Sequence, residues 1–397
     1  MRHAEIAGAG FAGLAAAIAL RQRGWSVRVH EVDPELRAFG AGIFIWENGL
    51  RVLQALDAYE VVRDGAFAAP AYETRTDGAC LAFERINYGQ RYRLLTMTRQ
   101  HLYAALLAAA RRAGAEIFAG SGAAGADADG TLVMEDGRRL RADLVIAADG
   151  VRSRVRDSLG IGQTRKKYKD GIIRVLVPRG VLTGGQWDHV IDFWNTEGRT
   201  LRILYTPCGE NALYMAMMAA AEDAAASAIP VDPRVWTAAF PELAPAIKAI
   251  GASGRYDVYE TTKLERWSAG RVAIVGDSAH AMPPTLAQGA GCAMMNALGL
   301  AEALEEHTDV EATLAAWEAR ERPLTDFTQA RAAHLADTRA LASGMSWDDE
   351  GLRAARHAPT GTRALASDAG VALRDVPGQA EAFDALQDKE QDRAHHA

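Results

Sequence analysis

Apolar and polar positions along this chain fall into two alternating textures. The stretch Ala4 to Gly8 is almost continuously apolar, Gly10 to Arg23 carries an alanine- and leucine-rich helical pattern, and Ser26 to Glu31 returns to strand alternation. Strand, helix and strand in about thirty residues is a βαβ unit and predicts a parallel sheet. Arg99 to Ala113 reads as a helix with Leu102, Leu106 and Leu107 on one stripe, closing near Gly114. Thr131 to Met134 and Arg139 to Arg141 flank Asp136-Gly137, a strong hairpin signal. Leu144 to Ala148 is a further apolar strand that runs into Asp149-Gly150.

From about Gly171 to Met218 the alternation becomes β-rich, through Ile173 to Val177, Val190 to Trp194, Leu201 to Tyr205 and Leu213 to Met218. This predicts a separate antiparallel layer. Pro207-Cys208-Gly209-Glu210-Asn211 is turn-rich, and a hairpin centred on Cys208 would make Arg202 and Tyr214 cross-strand partners on one face. Val272 to Val275 returns to buried strand before Gly276-Asp277, a helix follows from about Gly291, and Val310 to Ala342 is alanine-rich, charged and helical in period. From Ser367 the chain is polar and is expected to fray. The fold class is therefore α/β. A Rossmann-like dinucleotide domain (1–70, 92–170 and 257–330) is interrupted by an antiparallel-sheet substrate domain (71–91 and 171–256), and 331–397 forms a C-terminal helical segment and tail.

Composition removes several function classes. The chain has 397 residues, with 44 basic against 51 acidic side chains and a formal charge of -7. That balance argues against a generic nucleic-acid or anionic-membrane binder. No apolar run reaches the roughly 18–20 residues of a membrane span. Cys80, Cys208 and Cys292 are far apart and odd in number, which supplies neither a disulfide framework nor a metal ligand set. Met1-Arg2 before Ala9 to Leu20 resembles a short signal peptide, but the glycine spacing fits a strand, turn and helix better. The expectation is a reduced, cytosolic, globular chain without a metal.

Gly8-Ala9-Gly10-Phe11-Ala12-Gly13 matches G-x-G-x-x-G at the predicted strand-to-helix turn. The first glycine permits the tight turn, the second lets backbone approach a pyrophosphate, and the third lets helix pack on strand. The helix N-terminus offers free N–H groups to phosphates. Glu31 ends the next strand, where an acid accepts hydrogen bonds from ribose hydroxyls, favouring FAD or NAD over NADP. Two further motifs also follow apolar strands. Asp149-Gly150-Val151-Arg152-Ser153-Arg154 is, on its bland reading, a turn that opens a helix with Ser153 as cap. Gly276-Asp277-Ser278-Ala279-His280 leads to Met282-Pro283-Pro284 and Gln288-Gly289-Ala290-Gly291, with His280 read as structural. No H-E-x-x-H, CxxC pair or G-x-S-x-G elbow is present.

These three motifs, in this order, resemble the FAD-dependent aromatic hydroxylases of the p-hydroxybenzoate hydroxylase type, from about Glu5 to Pro323. The resemblance implies that Asp277 contacts the ribityl or pyrophosphate part of FAD. It implies that Pro283 to Gly291 lies along the flavin ring, including Pro284, Gln288, Gly289, Ala290 and Gly291. The Asp149 motif would serve FAD and NAD(P)H, Arg99 would point at FAD, and Arg37 with Ala41-Gly42-Ile43 would line the ribose and ring. Four longer runs are similar to the hydroxypyridine-carboxylate oxygenases of that family: Leu36 to Ile43, Arg202 to Tyr205, Tyr259 to Leu264 and Leu286 to Met294. Phe44 stands where that similarity implies a tyrosine.

The activity so implied uses noncovalent FAD, NADH or NADPH, and O2 carried as a flavin C4a-hydroperoxide. It oxygenates a hydroxylated pyridine carboxylate and opens its ring. The alternative is simple hydroxylation of a hydroxybenzoate or hydroxynicotinate. Arg202, Tyr214, Tyr72, Phe44 and Pro284 are the expected substrate contacts, because an arginine in an apolar strand face calls for an anion. The expected partners are a small aromatic acid and a second copy of the chain in a homo-oligomer.

Overall fold

The computed structural model describes residues 1–37, 41–87 and 93–338. The fraying expected from Ser367, and the run through Ala38-Phe39-Gly40, fall outside these residues.

A six-stranded sheet forms the first layer, in the order Ser268–Ala269, Val272–Ile274, Leu144–Ala147, His3–Ala7, Ser26–His30 and Glu116–Phe118. Its pairings are parallel apart from the short Ser268–Ala269 edge. The strand His3–Ala7 lies between two others, which explains why Ala4, Ile6 and Ala7 are apolar and why even Glu5 is buried. The helix Phe11–Gln22 is buried at every position from Ala12 to Leu20. It packs against the helix Gly289–Glu306, so it has almost no solvent face to make polar. Arg99–Arg112 is the expected helix, capped by Thr98, whose hydroxyl accepts from the His101 N–H at 3.1 Å. Thr131–Met134 pairs with Arg139–Arg141 as the Asp-Gly signal implies, with Gly137 at φ +87°.

The second layer is a seven-stranded sheet, in the order Tyr256–Leu264, Gln163–Pro178, Ala212–Ala220, Leu201–Cys208, Val190–Asn195, Ala71–Thr76 and Ala79–Arg85. All pairings are antiparallel except that of Ala71–Thr76 with Val190–Asn195. One face buries Ile173, Phe193, Ile203 and Met217 under the short helices around Trp236 and Ile247. The other face carries Tyr72, Tyr214 and Ala216 and packs with Phe44 and Trp46. Those two come from the strand Gly42–Trp46, so this face looks toward the dinucleotide layer.

The register of the central hairpin differs from the expected one. Pro207 and Cys208 stay in the strand, opposite Leu213 and Ala212, and the turn lies beyond them, with Gly209 at φ +68°. Arg202 therefore faces Met218, and Tyr214 faces Thr206. The displacement is an even number of residues, so Arg202 and Tyr214 still share a face although they are not partners. The C-terminal helix runs Val310–Thr338, through Pro323.

Candidate active site

Two adjoining cavities meet at Gly10, Ala148 and Gly150, at the C-terminal ends of the parallel strands. In open α/β sheets this is where ligands bind. The outer cavity, about 370 Å³, is lined by Gly8, Gly10, Glu31, Asp149 and Arg152. The inner one, about 320 Å³, lies between the two layers. Gly10, Phe11, Ala12, Phe44, Asp277 and Pro284 contribute to its wall, together with Gly289 and Ala290.

The glycines divide their work. A Cβ on Gly8 would overlap the Ala148 carbonyl oxygen, and Gly8 has φ +97°, so this turn needs glycine for the fold itself. A Cβ on Gly13 would overlap the Gly8 carbonyl oxygen, so this position sets how closely helix meets strand. A Cβ on Gly10 would meet no atom within 4 Å, and the residue faces the cavity. No packing of the described residues requires a glycine here. Glu31 is oriented by two backbone donors, Ala9 N–H to Oε2 at 2.8 Å and Asp33 N–H to Oε1 at 3.0 Å. Beneath it, buried His30 donates from Nε2 to the Glu5 carboxylate (2.8 Å) and pairs through Nδ1 with the Ser121 hydroxyl (2.9 Å), which stiffens the strand end.

The Asp149 motif lines the outer cavity and also builds the local fold. Its carboxylate accepts from the Ser153 hydroxyl and from the N–H groups of Arg154 (2.8 Å) and Val155 (3.2 Å). Ser153 caps the helix Arg154–Ser158. Ser278 accepts from the Gly150 N–H at 2.8 Å, and Arg156 donates to the Ser278 carbonyl at 3.0 Å. The second and third motifs are thus stitched together at the cavity floor. What the Asp149 segment presents to a ligand is its turn, since the carboxylate is already engaged.

Asp277 is exposed at the inner cavity, and its charge acts on half-buried Arg99. Burial lowers the Arg99 pKa, and the like charge of Arg174 lowers it further. Arg99 lies 4.9 Å from the Phe11 ring. His280 is structural: its Nε2 accepts from the Asn296 amide at 3.0 Å, its ring packs on Trp267, and burial pushes its pKa down to about 4. Gln288 is buried between cavity-lining Ala287 and Gly289. Its oxygen accepts from Asn48 at 2.9 Å, while its Nε2 has no partner among the described residues.

Of the expected substrate contacts, Arg202, Tyr214, Phe44 and Pro284 line the inner cavity. Tyr72 does not; it is buried nearby, close enough to act on the Arg202 charge. Arg202 also differs from expectation in a way that matters. Its Nε donates to Asp192 Oδ1 at 2.6 Å and a terminal nitrogen donates to Oδ2 at 3.0 Å. Burial works against its charge, but Asp192 outweighs this and holds the pKa well above its ordinary value. The anion that the sequence required for Arg202 comes from the neighbouring strand. Arg37 is exposed and pairs with Glu35, and neither it, Gly13, Gln288 nor Gly291 lines either cavity.

Arg174 was missed from the sequence. It lines the inner cavity with Ile172 and Ala216. The signal for it was an arginine interrupting Ile172-Ile173-Arg174-Val175, the same signal that singled out Arg202. Tyr214 is buried, which raises its hydroxyl pKa, and Arg174 offsets part of that rise.

An open glycine turn at a helix N-terminus, a backbone-oriented acid in the outer cavity and an exposed Asp277 in the inner one suit a flavin adenine dinucleotide. The site defines a flavin-dependent oxidoreductase. The chain belongs to the FAD-binding domain family, whose sequence profile matches residues 3–330. It is similar to a tetrameric form of 2-methyl-3-hydroxypyridine-5-carboxylic acid oxygenase, at 50% identity and TM-score 0.86, covering 90% of this chain and 96% of that one. It is also similar to a putative 2-heptyl-3-hydroxy-4(1H)-quinolone synthase of Rhodococcus erythropolis, 41% identical over 90% of this chain and 97% of that protein. A third relative is 3-amino-4-hydroxybenzoate 2-monooxygenase of Streptomyces cremeus, 30% identical over 88% of this chain and 90% of that protein. The protein is an FAD-dependent monooxygenase of the aromatic hydroxylase type, with NAD(P)H and O2 as co-substrates. Among the described residues no helix is long and apolar enough to cross a membrane.

Proposed function

We propose that the protein oxygenates, and then opens, the ring of a small hydroxylated pyridine carboxylate. The observation that carries this reading is the charge of the inner cavity. Its described lining includes Arg99, Arg174 and Arg202 but a single carboxylate, Asp277. Asp192 neutralises Arg202, and Asp257 is shared between Arg174 and Arg255, which leaves a net positive surface suited to an acid. The remaining wall is largely apolar, through Phe44, Ile172, Leu204, Met282 and Pro284. Such a wall grips a planar ring and keeps water from the reacting atoms.

Gly8, Gly10, Glu31, Asp277 and the Pro284 to Ala290 segment would hold FAD, which when reduced by NAD(P)H supplies the activation of O2. The chain's own part is to orient the ring. The arginines hold the carboxylate, and the Tyr214 hydroxyl, kept protonated by burial, donates to an ionised ring oxygen. An electron-poor pyridine, once oxygenated, takes up water readily, so ring opening follows more easily than for a benzene ring. The 50% identity to a pyridine-carboxylate oxygenase supports the same class. That relative's tetrameric form supports a homo-oligomer here as well.

The quinolone-type relatives support a second reading, a 3-hydroxylation of a bicyclic ring. A cavity of about 320 Å³ that must also admit the flavin ring favours the smaller, charged substrate. The test is a panel of hydroxypyridine carboxylates, hydroxybenzoates, a hydroxynicotinate and an alkylquinolone, scored by NAD(P)H oxidation and product mass together. Ring opening adds one oxygen and one water, whereas hydroxylation adds one oxygen alone. Turnover of the quinolone and not of the acids would overturn the proposal.

A further inference from the structure

We propose that Arg174, rather than Arg202, binds the substrate carboxylate, and that it does so by exchanging Asp257 for the substrate. The inference rests on the reading of the inner cavity as an aromatic-acid site. Two buried-face arginines compete for this role, and their existing partners separate them.

Arg202 and Asp192 form a two-point pair with side chains 12% and 9% exposed. Pulling Arg202 away would strand a buried carboxylate, a costly change that a substrate would have to offset at every turnover. Arg174 is differently placed. Its contact with Asp257 uses one terminal nitrogen, at 3.1 Å, and the two side chains are 27% and 35% exposed. Pairs this exposed are weak. Asp257 has a second cation as well, because Arg255 reaches Oδ1 at 2.9 Å and Oδ2 at 3.1 Å. Arg174 can therefore let go without leaving Asp257 unpaired.

The sheet aims Arg174 at the right place. It lies opposite Ala216 on the neighbouring strand, and the small side chain leaves room for the guanidinium over the sheet face. Tyr214 is one step along that strand on the same face, near enough for its hydroxyl to respond to the Arg174 charge. Arg99 feels the same charge as repulsion. A carboxylate bound between Arg99 and Arg174 relieves that repulsion, and its ring then lies beside Tyr214.

The experiment uses the flavin-loaded enzyme with a 3-hydroxypyridine carboxylate and with its primary carboxamide, following product formation. Wild-type enzyme is expected to prefer the acid; no preference for the acid would overturn the aromatic-acid reading itself. In Arg174→Gln the KM for the acid should rise about 10- to 100-fold and that for the carboxamide much less, with flavin content retained. Arg174→Gln retaining the wild-type ratio of acid to amide overturns the assignment. Asp257→Asn removes the competing anion and should lower the KM for the acid, which a merely structural pair would not do. An unchanged or raised KM in Asp257→Asn overturns the exchange, and this arm decides the matter if Arg174→Gln fails to fold.

Discussion

Arg202→Met is expected to destabilise the substrate sheet rather than simply weaken substrate binding. The methionine keeps most of the stem volume and removes the charge. Asp192, 9% exposed and held by two hydrogen bonds of 2.6 and 3.0 Å, then becomes a buried anion without its cation. Breaking a buried pair in this way costs about 3–5 kcal/mol. The contact of the guanidinium with the Trp194 ring, 5.2 Å to its centroid, is lost as well and adds roughly 0.5–1 kcal/mol. Against a typical total of about 5–15 kcal/mol, this is a large fraction. The double variant Arg202→Met/Asp192→Leu removes both charges, and should recover most of the loss, since apolar replacements of buried pairs are often neutral or better. Urea unfolding followed by circular dichroism, run as a double-mutant cycle, measures the coupling. A loss below about 1 kcal/mol in the single variant, together with a raised KM for the acid, would refute the reasoning and return the carboxylate role to Arg202.

Gly10→Ala should leave the melting temperature of the flavin-free protein unchanged while flavin content falls sharply, because its Cβ meets only the cavity; Gly13→Ala should lower both. Equal effects of the two variants on the flavin-free protein would contradict this division. Asp277→Ala should purify with less FAD, and acid precipitation of the wild type should release all flavin to the supernatant; flavin in the pellet would show a covalent link. Burial raises the Glu321 carboxyl to about 7, with Arg320 opposing the shift and Glu302 reinforcing it. The folded state then holds a proton that the unfolded state, with its pKa near 4.5, has released, so this group's contribution to stability falls as pH rises from 4.5 through 7. Relative to wild type, Glu321→Gln should gain about 2–3 kcal/mol between pH 5 and pH 8. A difference independent of pH would show that Glu321 titrates normally.

The residues proposed to hold the cofactor stand out in the sequence because their signals are local. Gly8, Gly10 and Gly13 sit within six residues; a Cβ on Gly13 would meet the Gly8 carbonyl of the same turn, one on Gly8 would meet Ala148 of a neighbouring strand, and one on Gly10 would meet no protein atom. Glu31 falls at a strand end because the strand is short, and Asp277 follows the last buried strand in the same way. The substrate end was readable only as a face. Alternation along Leu201–Cys208 and Ala212–Ala220 put Arg202 and Tyr214 on one side of the sheet, and that survived a wrong register because side chains repeat every two residues.

The α/β layering, the dinucleotide turn and the presence of arginines on an apolar sheet face are all carried by the order of residues along the chain. Which of those arginines is already neutralised is a property of the folded sheet alone. Asp192 reaches Arg202 from an adjacent strand, whereas Asp257 reaches Arg174 from the sheet's edge strand and shares itself with Arg255. The energy of a buried charge depends on its nearest counterion and its distance from water. Both are set by strand order and register, which no periodicity along one strand encodes.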